Sequence, residues 1–141
     1  MKFVLDASVA LLWLVPQSNA SGVNYAEAVL TALKESQALV PSLFALETSN
    51  VIVKVECKGI VTQADTQRFI TLLGQLNIAT DEATMAHALG DTLNLARRYK
   101  LSAYDAAYLE LALRKGLPLA TLDADLLKAA TTAGVSVSSI D

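Results

Sequence analysis

Short apolar runs, too brief for helices, punctuate the chain at intervals, and stretches with helical spacing fill the gaps between them. The runs are Phe3-Val4-Leu5, Ala38-Leu39-Val40, Asn77-Ile78-Ala79, Leu117-Pro118-Leu119-Ala120-Thr121 and Val135-Ser136-Val137. Segments this short and this apolar read as strands buried on both faces. Between them lie Ala7 to Val15, stopped by Pro16, and the spaced set Tyr25, Ala26, Val29, Leu30 and Leu33. Leu43 to Lys58 follows, closed by Gly59, then a stripe of Phe69, Leu72, Leu73 and Leu76. Met85, Leu89, Leu93 and Ala96 mark another helix, a further one runs to Lys115 before Gly116, and Leu122 to Ala133 is the last. Alternating strands and helices require a parallel sheet covered on both faces. The expected fold is therefore α/β: a three-layer α/β/α sandwich around a short parallel sheet of four to five strands. No linker, repeat or low-complexity segment interrupts the pattern, so a single domain over residues 1–141 is expected.

Composition narrows the function. The apolar fraction is 53% and the charged fraction 18%, against averages of about 45–50% and about 25%, which excludes a disordered chain. The lone cysteine, Cys57, excludes a disulfide framework and a cysteine zinc site. It suits a reducing compartment, and a cytoplasmic location is expected. The apolar stretch from Val9 to Pro16 is far short of the roughly 20 residues of a membrane span. Net charge is −3, so nucleic acid would not be held by bulk positive charge. An anionic substrate would need a local basic face or bound metal ions.

In an open parallel sheet, ligands bind at the carboxyl ends of the strands. Four acids fall at such junctions. Asp6 ends the first strand, Glu47 lies early in the helix after the second, Asp105 opens a helix within Ala103-Tyr104-Asp105-Ala106-Ala107, and Asp123 follows the fourth strand. Taken singly, each Asp has a plain role as a helix cap; Ser102-x-x-Asp105 reads as a capping box, as does Thr62-x-x-Asp65. Taken together, Asp6 and Glu47 sit in apolar surroundings where an unpaired carboxylate is costly, and too few cations lie nearby. The missing partner is a divalent metal. An all-carboxylate set without His or Cys selects a hard ion, Mg²⁺ or Mn²⁺. The matching reaction is in-line hydrolysis at phosphorus, with the ion making water a nucleophile near neutral pH.

The order and flanks of these residues carry a family resemblance. Leu5-Asp6-Ala7-Ser8, Val40-Pro41-Ser42 with Glu47 and Asn50, Tyr104-Asp105-Ala106-Ala107-Tyr108-Leu109 and Thr121-Leu122-Asp123 resemble the PIN-domain nucleases, and among them the VapC-type toxins of toxin–antitoxin pairs. The likeness runs from Lys2 to the final strand. It implies a PIN-like sandwich and a metal-dependent endoribonuclease with Asp6, Glu47, Asp105 and Asp123 as the catalytic, metal-binding acids. Ser8, Asn50 and Thr121 match its supporting polar positions. It further implies an RNA substrate, a homodimer, and neutralisation by a cognate antitoxin. Phe69, Leu72, Leu73 and Leu76 exceed what a small core needs, and part of that surface is the expected dimer interface.

Spacing adds detail. Glu47 and Asn50 share a helix face, with Lys54 one turn further along it. Thr121 and Asp123 flank one residue, so both can face one way in extended chain. Asp125 is either a second ligand or the first-turn acid of the last helix; Asp123, closer to the strand end, is preferred. Arg97 and Arg98, with Lys100, form the densest basic cluster, readable as an RNA phosphate clamp or as a solvated helix end. Arg114-Lys115 allows the same two readings. His87, Cys57, Trp13 and Tyr25 read better as structural residues. Alternatives are a phosphotransfer domain or a non-catalytic module of the same fold. A phosphatase of that kind needs Asp-x-Asp where this chain has Asp6-Ala7-Ser8. A receiver needs a late Lys following a strand, and none is found.

Overall fold

The computed structural model describes residues 1–137. Strand β1 (Lys2–Leu5) leads into a short helix α1 (Ala7–Ala10), which tightens into 3₁₀ turns at Leu11–Trp13 and Pro16–Gly22. Helix α2 (Val23–Ala32) returns to β2 (Gln37–Val40), and α3 (Phe44–Cys57) and α4 (Gln63–Gln75) precede β3 (Ile78–Thr80). Then come α5 (Thr84–His87), a wide π-type turn at Ala88–Thr92, α6 (Leu93–Tyr99), α7 (Ala103–Lys115), β4 (Leu119–Ala120) and α8 (Ala124–Thr132).

The sheet order is β3-β2-β1-β4, and every pairing is parallel. From β1 the chain steps outward through β2 to β3, then crosses back to place β4 on the free side of β1. The reversal therefore falls between β1 and β4, and this is where an open α/β sheet leaves its ligand crevice. Phe3, Val4, Leu5, Leu119 and Ala120 are fully buried, as expected of strands covered on both faces. Tyr108, Leu109 and Leu111 of α7 and Leu126 of α8 seal the core. The Trp13 indole donates to the Ala26 carbonyl at 2.8 Å, tying the turn after α1 to α2.

Two expectations need correcting. Within the described residues Val135-Ser136-Val137 is not a strand: it makes one backbone bond to β4, Leu119 N–H to Ser136 O, and one bond does not make a ladder. Residues 138–141 lie outside the described residues. The helix expected around Met85 and Leu89 is broken into α5, the π-type turn and α6, and it is rotated. Met85 and Leu89 are 74% and 89% exposed, while Thr84 and Thr92 are buried. The extra residue of a π turn shifts the inward face, which a fixed spacing of three and four cannot follow. Among the described residues no helix is long and apolar enough to cross a membrane.

Candidate active site

At the crevice between β1 and β4, a cavity of about 540 Å³ is lined by Asp6, Glu47, Asp105 and Asp123, together with Ser8 and Asn50. Leu11, Leu43, Leu46, Val51 and Tyr104 supply its apolar wall, and among the described residues no Lys, Arg or His takes part in the lining. The four acids reach it from four connections: the end of β1, the first turn of α3, the first turn of α7 and the cap of α8.

Asp6 is the most constrained. It is 4% exposed. Its Oδ2 accepts from Ser8 Oγ at 2.5 Å and from Thr121 Oγ1 at 2.8 Å. Ser8 Oγ in turn accepts from the Leu122 N–H, and Thr121 Oγ1 from the Asp123 N–H. The two hydroxyls thus lock the end of β1 to the loop after β4. With one carboxylate oxygen holding that lock, Oδ1 is the oxygen left for the cavity. Burial pushes the Asp6 carboxyl up to about 6, the two hydroxyl bonds pull against this, and the charges of Glu47 and Asp123 add to the rise.

Glu47 lies one helical turn before Asn50 and accepts a 2.6 Å hydrogen bond from the Tyr108 hydroxyl at Oε1. Burial raises its carboxyl, the Tyr108 bond opposes that, and the Asp105 charge adds to it. Tyr108 is fully buried. Burial and the nearby Asp6 and Glu47 carboxylates push its phenol far above the ordinary range, so it remains a donor. Tyr108 belongs to the Tyr104–Leu109 motif, but its role as a donor to Glu47 is not visible in the sequence. The available signal was its position three residues after Asp105, which places both on one face of α7.

Asp105 follows the Ser102 cap of α7, whose hydroxyl accepts from the Asp105 N–H at 3.1 Å. Only half of a capping box forms, since the carboxylate does not return a bond to the Ser102 N–H. Burial pushes Asp105 up to about 6, with the charges of Asp123 and Asp6 next in importance. Asp123 does two things: it lines the cavity and caps α8 by accepting from the Leu126 N–H at 2.9 Å. Asp125 is exposed and lies outside the cavity, in the first turn of α8.

Lys54, Arg97 and Arg98 are exposed and do not line the acidic cavity. Arg98 lies over the Tyr99 ring at 5.5 Å. Arg114 is fully committed elsewhere, which removes the phosphate-clamp reading given to Arg114-Lys115. Its guanidinium donates to both Asp81 oxygens at 3.1 and 2.6 Å and to both Glu110 oxygens at 3.0 and 2.8 Å. His87 Nδ1 stands 4.0 Å from Glu110 and 3.5 Å from Asp91. Phe69, expected at an interface, is 3% exposed within this chain, while Leu72 and Leu73 are half-buried.

The donor chemistry suits a hard divalent cation: oxygen ligands only, a concentration of negative charge, and no cation in the wall to neutralise it. The side chains as they stand line the cavity without closing on one point. Among the described residues, no three of His, Cys, Asp or Glu are arranged to hold an ion.

A parallel sheet reversing at β1 and β4, with four acids gathered at that reversal, defines a PIN-type architecture, and the PIN domain family model matches residues 3–131. The chain belongs to this family. It is 30% identical over 126 residues to ribonuclease VapC3 of Pyrobaculum aerophilum, covering 89% of this chain and 92% of that one. Its fold is shared with PAE2754 from Pyrobaculum aerophilum, with a TM-score of 0.63, 23% identity, and 92% and 87% of the two chains covered. It is also shared with VapBC2 from Rickettsia felis, solved with a DNA fragment from their promoter, with a TM-score of 0.62, 16% identity, and 91% and 92% covered.

Proposed function

We propose that this protein is a metal-dependent endoribonuclease, the toxin of a toxin–antitoxin pair, that hydrolyses RNA phosphodiester bonds at the acidic cavity. The observation that carries the reading is the convergence of Asp6, Glu47, Asp105 and Asp123 on one cavity without a cation in its wall. Its relative's designation as a ribonuclease points the same way. Mg²⁺ or Mn²⁺ held by these four carboxylates would neutralise their charge, polarise the scissile phosphate and supply a nucleophile near neutral pH.

The chain's own groups prepare the site. Ser8 and Thr121 fix the Asp6 carboxylate and direct its second oxygen inward. Tyr108 occupies Oε1 of Glu47, which orients Oε2. Asn50 offers an uncharged donor and acceptor at the same cavity. The apolar wall lowers the local dielectric and strengthens each electrostatic contact with a phosphate. Arg97, Arg98 and Lys54 are proposed contacts for RNA beyond the cavity. Asp123 rather than Asp125 is assigned to the metal.

An antitoxin segment would cover the cavity mouth, where exposed Leu46 and Tyr104 flank the acids. A second copy of the chain would cover the Leu72–Leu73 side of α4. The reducing cytoplasm is the proposed location, in keeping with the free, exposed Cys57.

The test is cleavage of a fluorogenic RNA by the purified chain. Turnover should appear with Mn²⁺ or Mg²⁺, vanish in EDTA, and leave 5′-phosphate and 3′-hydroxyl ends. Metal-independent cleavage yielding a 2′,3′-cyclic phosphate would overturn the reading.

A further inference from the structure

We propose that a basic cleft between the end of α6 and the outer face of α8, built on Arg98, Lys100 and Lys128, holds the phosphodiester backbone of the RNA strand leading away from the acidic cavity. This rests on the ribonuclease reading and extends it to a second site. The cleft encloses about 320 Å³, and Tyr99, Asp125, Ala129 and Thr132 complete its lining.

Three observations carry the inference. The first is location. Asp125 stands in the cleft, in the first turn of α8, two residues after Asp123, which caps that helix and lines the cavity. Its charge reaches the Asp105 carboxyl. The two concavities therefore meet the start of α8 at positions two residues apart.

The second is the absence of local neutralisation. Among the described residues no carboxylate lies within ion-pair distance of Arg98, Lys100 or Lys128, whereas Arg114 is saturated by Asp81 and Glu110. In a chain of net charge −3, three cations gathered against one acid make a local positive excess, suited to a backbone that carries one charge per nucleotide.

The third is backbone strain. Lys100 caps α6 in the left-handed region, φ 55°, and among the described residues it is the one non-glycine with positive φ. The other positive-φ positions that follow helices are Gly59, Gly116 and Gly134. Glycine is the residue that such a cap favours, and a lysine there is disfavoured by its Cβ. Strain of this kind persists where a side chain serves a purpose, and here the side chain places a cation in the cleft.

The experiment compares RNA binding by Lys100→Gly/Lys128→Ala with a charge-matched control, Lys34→Ala/Lys58→Ala, whose lysines are exposed and outside the cleft. Both are made in the full chain carrying Asp105→Asn, so that the strand stays intact. Affinity for a single-stranded RNA is read by fluorescence anisotropy in Mg²⁺ across a salt series. Lys100→Gly relaxes the strained cap, so its melting temperature should not fall, and lost binding is then not lost fold. The cleft variant should bind about tenfold more weakly and show a salt slope shallower by about 1.4, from two contacts on a single strand. The control should change little.

Equal losses in both variants, an unchanged salt slope in the cleft variant, or no RNA binding by the Asp105→Asn chain would overturn the cleft. Cleavage by the unmodified chain is measured in parallel. If it cleaves RNA and the cleft result is negative, this inference alone fails. If it cleaves no RNA with either metal, the ribonuclease reading fails first.

Discussion

Two groups of carboxylates are withdrawn from water in this molecule, and they meet opposite fates. Asp81 and Glu110 are 7% and 4% exposed. Arg114 forks between them with four donor contacts, and Thr84 adds another to Asp81. The Arg114 bonds hold the Asp81 carboxyl below the usual range. Asp6 and Glu47 have no cation, and their partners are the hydroxyls of Ser8, Thr121 and Tyr108. Burial carries Asp6 up to about 6 and also raises Glu47. The first group is finished as a structure. The second has no such counter-charge among the described residues. A neutralised cluster stabilises a fold, while an unneutralised one stores repulsion that a ligand can relieve.

The largest effect expected from this contrast is on catalysis. Asp6→Asn should fold and lose activity by about 100-fold or more, since it removes a carboxylate from the proposed metal-assisted site. Asp81→Asn should leave turnover per folded molecule nearly unchanged. Single-turnover RNA cleavage with the folded fraction measured alongside checks both. Comparable losses from the two substitutions would erase the distinction.

The next effect is on stability, with the roles exchanged. Arg114→Met strands two buried carboxylates and should cost about 3 kcal/mol in urea unfolding. Asp105→Asn in EDTA should instead raise the melting temperature by a few degrees, because it removes a repelling charge from the cavity. Mn²⁺ should raise the wild-type melting temperature and do little for Asp105→Asn. A wild type indifferent to Mn²⁺, with an Asp105→Asn variant that melts lower, would mean that the acids are plain caps.

The pH profile separates the clusters by sign. A carboxyl raised to about 6 in the folded state destabilises at neutral pH. That penalty is relieved as pH falls through about 6 and is gone below the unfolded value of 3.8. A carboxyl held low behaves oppositely: Asp81 contributes above its unfolded value, and the contribution is lost as pH falls through its lowered folded value. The metal-free protein should therefore gain stability from pH 7.5 down to about pH 5 and lose it in stronger acid. Asp105→Asn should flatten the first limb, and Asp81→Asn should soften the second. Melting curves in EDTA across this range decide it.

How much of this was legible in the sequence follows from where the information resides. The strand–helix alternation carried the layers and the parallel sheet, because buried strands must be apolar on both faces. The four acids could be found because they stand at strand ends, next to apolar runs. The choice of Asp123 over Asp125 followed from the same nearness to β4. The Asp81–Arg114–Glu110 network was not legible: Arg114 and Asp81 are 33 residues apart, and no local pattern links them. The Tyr108 bond to Glu47 spans 61 residues, and its only local trace is the place of Tyr108 three residues after Asp105 on α7. The π-type turn was hidden because one extra residue leaves composition unchanged while turning Met85 and Leu89 outward.

The smallest expected effect tests two sequences that look alike. Thr62-x-x-Asp65 and Ser102-x-x-Asp105 have the same capping pattern, yet only the first completes the box. There the Asp65 N–H reaches Thr62 Oγ1 at 3.1 Å, and the Thr62 N–H reaches Asp65 Oδ2 at 2.9 Å. These bonds, with Arg68, hold the Asp65 carboxyl low. Asp105 shares only the first bond, and its carboxylate lines the cavity instead. Thr62→Ala removes the hydroxyl that anchors a reciprocal pair and should cost about 1 kcal/mol. Ser102→Ala removes one bond whose partner residue is held by other forces, and its cost in EDTA should be roughly half as large. Urea unfolding of both variants in EDTA resolves the difference. Equal losses would mean that Asp105 is held by its cap as firmly as Asp65, and that its place at the cavity follows from ending a helix there.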